Sequence, residues 1–300
     1  MDQLAALRAL RRVVELGGFT AAAEALGVSH SAVSRQIRQL ETRLGAQLLN
    51  RTTRRFALTA AGADYYAASR HILDALDEAD RAVGAHQARP SGSLRINAPM
   101  AFGTLELAGW LPQFIARYPE LRVDLVCNDR IVDLIDDGFD VALRLTRELP
   151  DSTLIARRLT SSRVMLVAAP AYLERHGAPQ QPADLLRHNC LTYTQVDKPR
   201  DWRFTGPDGA AHQVSVSGNL QANTGIALRA AALGGLGIAT TASFIVHQDL
   251  RRGELVPVLP DYLIRPRDLY ALYPQNRHLS PKVRAFVDFA AELYRERGWD

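Results

Sequence analysis

Residues 20–44, TAAAEALGVSHSAVSRQIRQLETRL, read as two short helices joined by a tight turn. On the second helix, at about 100° per residue, Val33, Ile37, Leu40 and Leu44 fall together, while Ser31, Ser34, Arg35 and Arg38 fall opposite. One face is built to pack and the other to meet a polar partner. Arginine binds guanine O6 and N7 bidentately and serine hydrogen-bonds bases or phosphates, so the polar face suits the major groove of a duplex. Thr20 is the expected N-cap of the first helix, Ala22 and Ala23 permit close helix contact, and Gly27 suits the left-handed residue that ends it. Ser29 is placed to cap the second. Ala23, Gly27 and Val33 sit at the offsets where a helix-turn-helix needs a small residue, a turn glycine and a buried β-branched anchor. The alternative is an antiparallel helical pair with a solvated polar face.

Working outward, LLNRTTRRFALT at 48–59 has strand-favouring Phe56, Leu58 and Thr59 beside a polar tip with Arg51, Arg54 and Arg55. A two-stranded wing of this kind lays arginines along phosphates or into the minor groove. Through Thr59 the chain has nine arginines against Asp2, Glu15, Glu24 and Glu41, an excess of five where the whole chain carries +4. For Arg54 and Arg55, solvated surface charge is the alternative. Upstream, residues 3–16 place Leu4, Leu7, Leu10 and Val14 at helical spacing, a scaffold covering the helix-turn-helix.

The run FTAAAEALGVSHSAVSRQIRQLETRLGAQLLNRTTRRFALTAAG, residues 19–62, resembles the N-terminal region of LysR-type transcriptional regulators, and the layout of the remainder is similar to theirs over essentially all 300 residues. The resemblance implies a multi-domain α/β fold: an N-terminal winged helix-turn-helix, a long linker helix and a two-lobed α/β effector domain like a periplasmic binding protein. It implies major-groove contacts from Ser31, Ser34, Arg35 and Arg38, and wing contacts from Arg51, Thr52 and Arg54. Many members carry Gln at the position of His30. His30 lies nearer the apolar side of the wheel, so it reads a base if it projects from the helix tip and otherwise caps or packs.

Downstream, Ala60 to about Gln87 reads as one helix in which Tyr65, Ile72 and Ala79 repeat every seven residues, joined by Ala68, Ala75, Ala82, Leu76 and Val83. So narrow a seam wants a partner helix, and two-fold readers of DNA need half-sites held at fixed spacing. Packing on its own domain is the alternative. RPSGS at 89–93 is a breaker cluster. The expected division is a winged helix-turn-helix domain at 1–59, a linker and dimerisation helix at 60–88, a hinge at 89–93 and an effector domain at 94–300. Its lobe I takes 94–163 and 266–300, and lobe II takes 164–265.

After the hinge, strands at 94–97, 121–127 and 141–145 alternate with helices at 103–118 and 131–138, the rhythm of a parallel sheet with covering helices. A second unit starts near 163 and includes a helix from Asn223 to Leu233, turn glycines Gly234, Gly235 and Gly237, and strand GIATTA. The chain returns through DLYALYP to a helix from Pro281 to Arg297. Alternation alone does not reveal two lobes joined by crossover strands; the resemblance supplies that step.

Ligands of open α/β sheets lie beyond strand carboxyl ends, where helix N-termini favour anions. Pro99–Gly103 and Asn223–Thr224 qualify. The resemblance adds Arg144 at a strand end and polar groups at Thr192 and Tyr193. A carboxylate-bearing effector, an organic acid, suits Arg144 with two helix N-termini, although an intraprotein ion pair is the alternative for Arg144. Met100 and Phe102 stand where many members have Ser or Thr, which points to a more apolar or aromatic effector.

With 47% apolar residues the chain can bury a sizeable core, and two or three domains are expected. No apolar run approaches the roughly 18 residues of a membrane span, and MDQLAALRALRR lacks the pattern of a signal peptide, so a cytoplasmic location without membrane partners is expected. Cys127 and Cys190 stand apart and read as buried free thiols. No phosphate-loop, G-x-S-x-G or H-E-x-x-H motif is present and the eight histidines are scattered, so neither a cofactor nor enzymatic activity is expected. The leading expectation is a homodimeric or homotetrameric transcription regulator that binds double-stranded operator DNA under control of a small-molecule effector. The alternatives are a two-lobed cytoplasmic solute receptor and an enzyme without a recognisable motif.

Overall fold

The computed structural model describes residues 2–52, 55–84, 89–130, 133–134, 137–149, 151–275 and 279–297. Its contacts separate two units, Met1–Arg89 and Pro90–Asp300.

In the first unit, α1 (Gln3–Glu15), α2 (Phe19–Leu26) and α3 (His30–Leu44) precede a hairpin of β1 (Leu49–Thr52) and β2 (Arg55–Leu58), followed by α4 (Ala60–Gly84). The Asp2 carboxylate accepts the Ala5 N–H at 3.1 Å, capping α1. Gly27 ends α2 at φ 67°, a left-handed conformation that glycine adopts without steric cost. Ser29 Oγ then accepts the Ala32 N–H at 3.2 Å and starts α3. Thr20 is not the cap of α2: the helix begins at Phe19, and Gly18, two positions before Thr20, is at the cap with no side-chain cap bond. The stripe of α1 that packs is Ala6, Leu7, Ala9, Leu10 and Val13, whereas Leu4 is exposed. Small alanines let α2 and α3 approach that side closely, so the contact face is rotated from the one the leucines alone suggest.

Three sets of contacts fix the wing and linker to α3 and to the loop that follows it. The Glu41 carboxylate accepts from the Leu48 and Leu49 N–H groups at 3.0 and 3.2 Å. Thr59 Oγ1 donates to the Gln47 carbonyl at 2.6 Å and accepts the Gly62 N–H at 2.9 Å, capping α4. Gly62 lies so close to the hairpin that an added Cβ would stand 1.9 Å from the Leu48 carbonyl oxygen. From there α4 packs on its own domain through Ser69 and Leu73, with Tyr65 and Tyr66 half-buried beside them. Ile72 points away and is 53% exposed. The heptad stripe therefore divides: Tyr65 faces inward and Ile72 outward.

In the second unit, β3 (Gly92–Ala98), β4 (Leu121–Cys127) and β5 (Val141–Thr146) are parallel neighbours, with β3 central. Between β3 and β4 run α5 (Met100–Phe102), a π-helical segment Gly103–Leu107 and α6 (Ala108–Arg117). Of the expected helix at 131–138, residues 131, 132, 135 and 136 lie outside the described set; Asp137 donates to the Asp133 carbonyl across a turn. Then come β6 (Leu154–Ala168), α7 (Pro170–His176), a 3-10 turn Pro182–Arg187, β7 (Cys190–Tyr193), and a hairpin of β8 (Asp201–Thr205) and β9 (Ala211–Ser215). They are followed by β10 (Gln221–Ala222), α8 (Gly225–Leu233), β11 (Ile238–Ala242), α9 (Ser243–Arg252), β12 (Val256–Val258), β13 (Ile264–Pro274) and α10 (Pro281–Arg297). The sheet order is β10-β7-β11-β6-β13-β5-β3-β4, with β12 also on β6. The long strands β6 and β13 pair antiparallel with each other and join the two lobes.

Each lobe has its own core. Trp110, Phe114 and Phe286 fill the first, where Trp110 Nε1 donates to the Tyr294 hydroxyl at 3.1 Å. Tyr172, Leu185, Trp202 and Phe204 lie in the second. Gly237 runs against β7, where a Cβ would meet the Asn189 carbonyl oxygen at 2.2 Å, and Gly235 turns at φ 69°. Among the described residues no helix is long and apolar enough to cross a membrane.

Candidate functional site

On α3, Val33, Ile37 and Leu40 are buried in the core of the first unit, and Ser31, Arg35 and Arg38 are exposed on the opposite side. The wheel placed Ser34 with the exposed group, but it is only 8% exposed. Its hydroxyl accepts from Arg38 Nη2 at 3.2 Å, so Ser34 steadies an arginine rather than standing free. His30 is exposed, with its ring 5.8 Å from that of Phe19, a contact that belongs to the packing alternative. His30, Ser31, Ser34, Arg35 and Arg38 line one shallow concavity along α3. In the wing, Arg51 pairs with Phe56 and Thr52 with Arg55 across the hairpin. Arg54 lies outside the described residues.

In the second unit a cavity of about 810 Å³ opens between the lobes, a size typical of small-molecule sites. Phe102, Arg144 and Tyr193 line it; Met100, Thr192, Asn223 and Thr224 are not among its lining. The Met100 N–H donates to Asp129 Oδ1 at 3.1 Å, so the start of α5 is already occupied by a carboxylate of the protein. Thr192 is buried inside β7. Thr224 caps α8, its hydroxyl accepting the Ile226 N–H at 3.4 Å, and Asn223 precedes that cap.

Residues that the sequence did not single out complete the cavity. Asp129, at the mouth of β4, accepts a hydrogen bond from the Tyr193 hydroxyl as well as from Met100 and feels the charge of Arg144. Burial nevertheless holds its carboxyl above the usual range. Burial is also the main reason that the Tyr193 phenol is pushed up to about 12, with Asp129 adding to it. Arg144 Nη1 donates to Asn97 Oδ1 at 2.6 Å and to the Leu143 carbonyl at 2.8 Å. Its Nη2 is buried with no partner among the described residues. Arg267 lies with its guanidinium 5.6 Å from the centre of the Tyr193 ring. It follows a register shift between Ile264 and Arg267 on β13, the kind of irregularity that re-aims a side chain. Phe102, Leu228, Phe244 and Ile245 supply the apolar wall, and Phe102 and Phe244 meet edge to face at 6.1 Å. The Gly103 backbone approaches Cys127 closely, since a Cβ there would stand 2.3 Å from Sγ, and this fixes α5 against the end of β4.

A packed helix-turn-helix with a wing, followed by a two-lobed α/β unit around a polar-apolar cavity, defines an effector-responsive DNA-binding transcription regulator. Residues 4–63 match the family described as "Bacterial regulatory helix-turn-helix protein, lysR family", and residues 87–295 match the "LysR substrate binding domain". The chain belongs to the LysR family of transcriptional regulators. It is 36% identical over 282 residues to the HTH-type transcriptional regulator CrgA of Neisseria meningitidis serogroup C (strain 8013), covering 94% of this chain and 93% of that one. With the HTH-type transcriptional activator AaeR of Escherichia coli (strain K12) it shares 35% identity over 298 residues, 99% and 96% of the two chains. The solved CrgA structure superposes with a TM-score of 0.63 at 35% identity, covering 96% of this chain and 98% of that one. The full-length Vibrio cholerae virulence activator AphB gives 0.62 at 30% identity, covering 97% and 99%. These relatives are named as regulators, not enzymes.

Proposed function

We propose that this regulator reads a partly palindromic operator as a dimer or tetramer, and that an effector held between its lobes changes the geometry of the assembled subunits. The observation that carries the reading is the division of α3, with Val33, Ile37 and Leu40 buried and Ser31, Arg35 and Arg38 exposed. On this reading Ser31 and Arg35 meet base edges. Arg38, held by Ser34, anchors on phosphate together with Arg51, Thr52 and Arg54 of the wing. The exposed side of α4, marked by Ile72, joins two copies and spaces their α3 helices. Arg144 and the apolar wall favour an organic acid as effector. A gel shift on the DNA upstream of the protein's own reading frame, run beside a turnover screen, tests it. Retarded DNA without turnover is the expected outcome, and turnover without retardation would overturn the reading.

A further inference from the structure

The effector cavity is lined by both charged and apolar side chains. Among the charged ones, the carboxylate of Asp129 already fills the start of α5, through Met100, and also takes the Tyr193 hydroxyl. Two arginines, Arg144 and Arg267, line the same cavity. Arg144 keeps a buried Nη2 unpartnered among the described residues. Arg267 is desolvated, and the like charge of Arg147 acts on it. Two guanidiniums against one carboxylate leave one positive charge for a ligand to meet. The other charged residues of the lining, Arg130, Asp133, Glu148 and Asp151, are exposed, where salt screens them. Glu148 is in addition paired with Arg265 at 2.9 Å. The lining also includes Phe102, Leu228, Phe244 and Ile245, an apolar wall suited to an aryl or alkyl body.

Resting on the effector reading above, we propose that the cavity binds a singly charged organic acid with an apolar body, and that Asp129 sets this preference by excluding a second carboxylate. Arg144, which lines the cavity, meets the ligand carboxylate with a charge-assisted hydrogen bond. A second carboxylate brought into the same cavity faces Asp129, and such like-charge juxtaposition weakens binding by about tenfold or more. An amide in place of the acid keeps the shape but gives up the charge that Arg144 and Arg267 require.

The test is calorimetric titration of the full chain with benzoate, phenylacetate and octanoate, with their amides, and with their dicarboxylate counterparts terephthalate, para-phenylenediacetate and suberate. At least one monocarboxylate is expected to bind at least about tenfold tighter than both its amide and its dicarboxylate counterpart. Arg144→Ala should abolish the advantage of acid over amide. Asp129→Asn, with its fold checked by thermal melting, should narrow the gap between dicarboxylate and monocarboxylate by about tenfold. Amides that bind as well as acids, a dicarboxylate preferred by the parent chain, or no binding across the panel would each overturn the proposal without recourse to the variants. A gel shift on the same preparation separates the two readings. Retained DNA binding with no acid preference removes only the effector class, whereas loss of DNA binding removes the regulator reading itself.

Discussion

Replacing Arg38 by Ala separates anchoring from reading on α3. The guanidinium is exposed yet tethered through Nη2 to Ser34 at 3.2 Å, leaving its other N–H groups to reach a phosphate. Each phosphate neutralised on B-DNA contributes about 0.9 to the slope of log affinity against log salt. In a dimer on two half-sites the substitution therefore removes roughly 1.8 from the slope. Between about 50 and about 200 mM salt, a fourfold change, the affinity gap between parent and variant narrows roughly twelvefold. The loss should be the same on cognate and unrelated duplexes. Arg35→Ala is expected to behave differently: losing a base-edge contact costs about 1–3 kcal/mol, roughly 5- to 150-fold, mainly on the cognate duplex. Fluorescence anisotropy with labelled duplexes across that salt range reads both quantities. Variants that keep the parental slope and the parental discrimination would refute the assignment of this face to DNA.

Ile72→Glu places a charge on the exposed side of α4. It should shift sedimentation towards a single copy while moving stability by no more than about 0.5 kcal/mol; a persistent dimer mass contradicts the pairing role. Gly62→Ala pushes a methyl group against the Leu48 carbonyl. It should destabilise the N-terminal unit by about 1–3 kcal/mol, and an unchanged calorimetric transition for that unit would count against the close approach. Because the folded Tyr193 phenol titrates above its ordinary 10.0, at about 12, its contribution to stability is present below 10.0 and lost as pH rises towards 12. Asp129→Asn removes the smaller cause of that elevation and leaves burial. Tyrosine carbon NMR should then show the phenol titrating lower than in the parent but still above 10.0, and an unmoved resonance would deny the Asp129 contact.

The helix-turn-helix was legible because its signals are local: a 3.6-residue stripe, a turn glycine and a serine cap within twenty-five residues. The misreadings there have local causes too. Thr20 looked like a cap because its hydroxyl could serve, but the turn through Gly17, at φ 70°, and Gly18 starts the helix earlier. Ser34 looked free because a helical wheel shows direction and not what packs beside it. On α4, a seven-residue repeat did not reveal that Ser69 and Leu73 take the inner face. The cavity was less legible for a different reason. Asp129 and Arg267 are 138 positions apart and come to line one cavity only through strand order β13-β5-β3-β4 and a register shift on β13. Nothing in the residue types near position 267 announces that geometry. Arg144 was accessible to sequence reasoning through resemblance, but not its orphaned Nη2, which depends on Asn97 and Leu143 taking the other nitrogen.

Footprinting the full-length chain on the DNA upstream of its own reading frame, with and without a bound monocarboxylate, addresses the coupling of operator and cavity at once. The account predicts protection of two half-sites at low salt and a changed spacing or extent of protection when the acid is added. A chain that protects no duplex under those conditions, or whose footprint is identical at saturating acid, contradicts it.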